Sequence, residues 1–147
     1  MKDAKGVITF DGYRVESFQF DWDVSVDMQG KNNYRYNINY AGELHTEESK
    51  QLDLRIRIFS NAYETYDESP LKLELILAGL FHKSDNTSWD DRWDANALAI
   101  LFPYARSIIS SFTAQSGFET INLPTINTSV VHETEPILAE KKTVSYE

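Results

Sequence analysis

Alternation of apolar and polar side chains with a period of two runs through residues 1–82 and restricts the fold more than any other feature. Phe18, Phe20, Trp22, Val24 and Val26 alternate with Gln19, Asp21, Asp23 and Ser25. Tyr34, Tyr36, Ile38, Tyr40 and Leu44 alternate with Arg35, Asn37, Asn39 and Glu43. Leu52, Leu54, Ile56 and Ile58 form a third such set, and Leu71, Leu73, Leu75, Leu77 and Phe81 a fourth. A strand turns successive side chains to opposite faces, so this pattern describes strands with one face on a core and one toward water. The links "QGKNN", "HTEESK" and "YETYDESP" carry turn residues and leave no room for crossover helices, so the sheet is predicted to be antiparallel throughout.

Two runs carry more apolar surface than a small core needs. The fourth becomes two-sided from Ile76, with Ala78 and Leu80 on its second face, and the first is aromatic over an unusual length. Such excess predicts that a partner covers part of the sheet.

After Phe81 the period changes. Leu98, Leu101, Ala105, Ile108 and Phe112 recur every three to four residues, widened by Ile100, Tyr104 and Ile109, as on one face of a helix. Ser88 with Asp91, or Asp94 alone, would cap its start, and Gly117 would end it. Pro103 lacks an N–H and crowds the carbonyl of Ala99, which predicts a short first segment, a bend, and a longer helix to about Gln115. The fold class read from these elements is α+β: a four-stranded antiparallel sheet followed by a long C-terminal helix. Residues 1–128 form the expected domain and residues 129–147 a polar tail.

The chain of 147 residues carries a formal charge of −9, from 23 acids and 14 bases, which disfavours nucleic-acid backbones and anionic membranes. No cysteine is present, so disulfides and thiolate metal sites are excluded. No signal-peptide core and no membrane-length apolar run is apparent, which predicts a cytoplasmic domain. The glycosylation patterns at Asn86 and Asn127 then read as chance matches. His45, His82 and His132 are scattered, and Asp85, Asp90, Asp91 and Asp94 lack the spacing of a calcium loop. Ser69 and Lys72 match S-x-x-K at a turn, without companion motifs. The expectation is no catalysis, no cofactor and no metal.

One segment is more specific. Leu101-Phe102-Pro103-Tyr104-Ala105-Arg106, an isoleucine-bearing helix, glycine then Phe118, and Asn122-Leu123 before a proline and Asn127 closely resemble the long helix and following loop of the SecB family of protein-export chaperones. "LELILAGLFHKSD" is similar to the exit of that family's fourth strand. The resemblance spans roughly residues 10 to 127. It implies an ATP-independent holdase that binds unfolded polypeptides, including preproteins handed to the motor SecA, and that assembles as a dimer of dimers with helices between sheets. Residues 129–147 depart from the family's usual second, apolar C-terminal helix, because they are polar and broken by Pro136.

On that resemblance, the expected peptide groove comprises Trp22, Tyr36, Ile38, Tyr40, Phe118, Ile121, Leu123 and Ile126. The expected oligomer interface comprises Tyr104, Ile108, Ile109 and Phe112, and the SecA-facing acids are Asp21, Asp23 and Glu74. Arg106 suits an ion pair at a subunit contact or a solvated helix position. The charge is consistent with a holdase, since repulsion keeps a protein with bare apolar surface in solution. Two alternatives stand beside it: a dedicated chaperone of a toxin–antitoxin or phage-encoded client, and a small-ligand-binding α+β domain.

Overall fold

The computed structural model describes residues 8–26, 33–83, 89, 91–125 and 144–146. The elements are β1 (Ile8–Trp22), β2 (Tyr34–Leu44), β3 (Ser49–Ser60), β4 (Leu71–Lys83), α1 (Asp91–Ala114) and β5 (Val144–Tyr146). Strands β2, β3 and β4 form a meander. Strand β1 pairs with β4, and β5 adds three residues to the far edge of β2, giving the order β1-β4-β3-β2-β5 with every pair antiparallel. The all-antiparallel sheet agrees with the sequence reading. The short fifth strand lies in the segment expected to be a tail.

Strand β1 starts ten residues before the alternation first shows and stops at Trp22, so Val24 and Val26 lie beyond it. Two irregularities hide its N-terminal half. The pairing with β4 slips at Asp11 and again at Glu16, each an extra residue that breaks a period of two. Gly12, at φ 132°, supplies the backbone conformation that the first slip requires. At the other end the Asp23 carboxylate accepts the Ser25 N–H at 3.1 Å and its hydroxyl at 2.7 Å, a local turn that stops the ladder and leaves Val24 exposed. Those two bonds hold the Asp23 carboxyl below the usual carboxylate range.

The core lies between α1 and one face of the sheet. Ile38, Leu52, Leu54, Ile56, Ile58, Leu71, Leu73, Leu75 and Leu77 are wholly covered there. Burying one such side chain stabilises the fold by roughly 1.5–3 kcal/mol. From the helix come Trp93, Ala97, Leu98, Leu101, Ala105, Ile109 and Thr113. The buried stripe thus follows 101-105-109-113. Ile108 is only half-buried and Phe112 stays exposed, a drift from the expected stripe toward Ile109 and Thr113. Gly79 permits this approach, since a Cβ there would sit 3.1 Å from both Leu101 methyl groups.

The helix is not divided at Pro103, contrary to expectation; α1 runs unbroken from Asp91 to Ala114. Pro103 and Ala99 both face solvent, so the ring avoids the core and water can satisfy the released Ala99 carbonyl. Asp94 lies in the first turn, where it accepts a hydrogen bond from the Tyr40 hydroxyl at 3.4 Å, rather than capping a separate helix. Ser88 lies outside the described residues. By length and composition Trp93–Ala114 is apolar enough to cross a bilayer, against expectation, but one side of the helix is committed to the sheet. Near its start the Trp89 indole donates to the Glu47 carbonyl at 3.0 Å, and the Lys50 ammonium sits 4.2 Å over the Trp93 ring.

The opposite sheet face carries ions. Arg57 donates to Glu74 at 2.9 Å, with Arg55 at 3.9 Å, and the Arg57 guanidinium covers the Tyr66 ring at 4.6 Å. Burial, then the nearby Glu74 charge, pushes the Tyr66 phenol up to about 12. Ser69 of the S-x-x-K match is fully occupied by the backbone, accepting from Ser60 and Leu71 N–H groups and donating to the Leu71 carbonyl.

Candidate functional site

A part-exposed aromatic seam runs where α1 lies beside the edge strand β1. Phe10 and Tyr13 meet Tyr104, with ring centroids at 5.6 and 4.8 Å. Farther along, Phe18 and Phe20 meet Phe112 at 4.8 and 5.0 Å, and Trp22 meets Phe118 edge-on at 4.8 Å. The seam is not closed over. Tyr13, Val15, Tyr104 and Phe112 are 39%, 47%, 40% and 37% exposed, all beside a strand whose outer backbone has no described neighbour. Free strand edges and bare aromatics can both engage an extended chain.

The loop after the helix ends the seam. Ser116 accepts from the Phe118 N–H at 3.1 Å and donates to the Thr113 carbonyl, while Gly117 takes φ 88°, so the chain turns back at the expected glycine. Thr113 then pins the returning segment: its hydroxyl donates to the Ile109 carbonyl at 2.8 Å and accepts the Ile121 N–H at 2.9 Å. On the far side the Tyr34 hydroxyl donates to Glu119 at 2.7 Å, and burial with that carboxylate raises the Tyr34 pKa.

Beyond Trp22 lies an open cleft of about 430 Å³, lined by Asp21, Asp23, Asp67 and Glu68, with Tyr63, Pro70 and one cation, Lys72. A smaller hollow of about 320 Å³ lies on the outer side of α1, between Pro103, Arg106, Ser107 and Ser110 and the loop residues Asn122 and Leu123. Among the described residues no cluster of three or more potential metal ligands occurs.

The structure distributes the residues singled out from sequence unevenly. Trp22 and Phe118 come together at the end of the seam, while Ile121 and Leu123 are buried beneath the loop at 1% and 4% exposure. Tyr36, Ile38 and Tyr40 lie under α1 in the core. Ile126 lies outside the described residues. Tyr104 and Phe112 are exposed, Ile108 is half-buried, and Ile109 points into the core. Asp21 and Asp23 are exposed at the acidic cleft, whereas Glu74 is held by Arg57 on the helix-free face. The seam residues Phe10, Tyr13 and Val15 escape a sequence reading because the two slips of β1 disguise their strand; the surplus aromatics of the first run were the one signal pointing to them.

An antiparallel sheet covered on one side by a single long helix, with a part-exposed aromatic seam along its edge strand, defines an α+β domain that keeps apolar surface beside a free strand edge. Residues 17–136 match the model of the family described as preprotein translocase subunit SecB, and the chain belongs to that family. An uncharacterized protein of Methanocaldococcus jannaschii is 27% identical over 125 residues, covering 84% of this chain and 81% of its own. Among solved structures, the fold is similar to that of a Mycobacterium tuberculosis SecB-like chaperone in complex with a peptide from an antitoxin. The TM-score is 0.60 at 12% identity, covering 82% of this chain and 91% of the other.

Proposed function

We propose that this protein is a SecB-like, ATP-independent chaperone that holds unfolded polypeptides in the cytoplasm. The observation that carries the reading is the aromatic seam along β1 and α1, left bare on a chain whose family is SecB. Bare aromatic surface accepts many sequences, and a charge of −9 opposes self-association by everything except the intended contacts. Trp22 and Phe118 form the accessible end of the groove. Ile121 and Leu123 join it when the loop lifts.

A second copy of the chain would dock on the rim of Tyr13, Val15, Tyr104 and Phe112, with Ile108 beside them, as a step toward a dimer of dimers. Asp21 and Asp23 are the acids best placed to receive a basic partner such as SecA, and preproteins are the proposed clients. Neither nucleotide nor metal enters the cycle.

Light scattering of a client diluted from denaturant tests the reading. Near-stoichiometric protein without nucleotide should suppress the rise, and an undiminished rise at severalfold excess refutes it.

A further inference from the structure

We propose that the hollow beside Pro103 is a carboxylate-accepting subsite for the polypeptide that the chaperone holds. The inference rests on the holdase reading and adds a preference to it. Arg106 sets it apart. Among the described arginines, Arg14, Arg55 and Arg57 each meet a carboxylate, and Arg35 is held by Asn61 and the Phe59 ring. Arg106 makes no hydrogen bond or ion pair with any described residue. It is exposed, and it opens onto a hollow of about 320 Å³ that no described carboxylate lines.

The lining suits one chemistry. A guanidinium offers planar paired donors, the Ser107 hydroxyl can turn to donate, the Ser110 hydroxyl can swing from its long 3.4 Å bond to the Ser107 carbonyl, and the Asn122 amide adds two more donors. Such a donor-rich surround matches the two oxygens of a carboxylate, with charge-assisted bonds to the arginine. Pro103 and Leu123 supply an apolar wall for the methylene groups that carry it. Asn122 and Leu123 follow Ile121 directly, so the subsite adjoins the loop that closes the groove. The preference opposes the net field, because a chain at −9 repels acidic ligands on average.

Fluorescence anisotropy with three labelled twenty-residue apolar and aromatic peptides tests this. One carries a single Glu and an amidated end, one has Gln there with an amidated end, and one has Gln with a free C-terminal carboxylate. The Glu peptide should bind about threefold tighter than its amidated Gln counterpart at low salt, as for an exposed ion pair, with the advantage fading at high salt. In Arg106→Gln the ratio should fall to one or below. A gain shown by the free-terminus peptide instead assigns the same subsite to chain ends. Equal ratios in parent and Arg106→Gln overturn the subsite while leaving the holdase reading intact. Failure of all three peptides to bind overturns both.

Discussion

Replacing Thr113 by valine should loosen the loop that closes the seam while leaving the fold in place. Thr113 is 1% exposed, and its hydroxyl accepts the N–H of Ile121, itself 1% exposed, at 2.9 Å. Valine keeps the shape but strands that amide, at a cost of about 1–3 kcal/mol for an unsatisfied buried donor. The Ile109 carbonyl loses less, because it keeps its helical partner. The added buried methyl returns about 0.8 kcal/mol. A net loss of up to about 2 kcal/mol results, concentrated in the loop. Hydrogen exchange at the Ile121 amide should then quicken by up to about thirtyfold, since 1.4 kcal/mol is one decade. Thr113→Ser keeps the hydroxyl and should preserve that protection while losing about 1 kcal/mol of global stability. Equal Ile121 exchange in parent, serine and valine proteins would refute the reasoning, because the hydroxyl would then not be the pin.

Gly79→Val puts a branched side chain where a Cβ already lies 3.1 Å from Leu101, so denaturant midpoints should report a loss of about 1–3 kcal/mol. Glu74→Gln removes the charge shared by Arg57 and Arg55, and should cost about 1–3 kcal/mol by the same measurement. Tyr34 and Tyr66 have raised folded pKa values, so the stability they contribute is present below about pH 10 and declines as pH climbs above it, for Tyr66 toward about 12. Chemical denaturation from pH 9 to 12 should show this decline, shallower in Tyr66→Phe. Phe112→Ser with Tyr104→Ser should lower the mass found by light scattering if that rim joins two copies, and should leave the far-ultraviolet spectrum unchanged.

The central strands were legible because each turns its apolar side chains from Tyr34 to Tyr40, Leu52 to Ile58 and Leu71 to Phe81 to one face. The other face is drier than the pattern suggests, since Asn39, Arg55, Phe59 and Ala78 are buried on it as well. Strand β1 was only half legible, since Asp11 and Glu16 each shift the pattern by one residue. Pro103 misled for a different reason: a proline facing solvent leaves the helix axis to be fixed by Leu101, Ala105 and Ile109 against the sheet. The site was visible mainly through the aromatic residues around it. Sequence cannot say which of two apolar faces is sealed, so Tyr36, Ile38 and Tyr40 read the same as Trp22 and Phe118 until α1 is placed over the first three.

The two offsets in β1 have a consequence for a molecule that handles sticky chains. An uninterrupted edge of fifteen residues would offer a template on which extended segments could add without limit. Displacing the backbone at positions 11 and 16 breaks that template, so the longest regular stretch left on the edge is Ser17–Trp22.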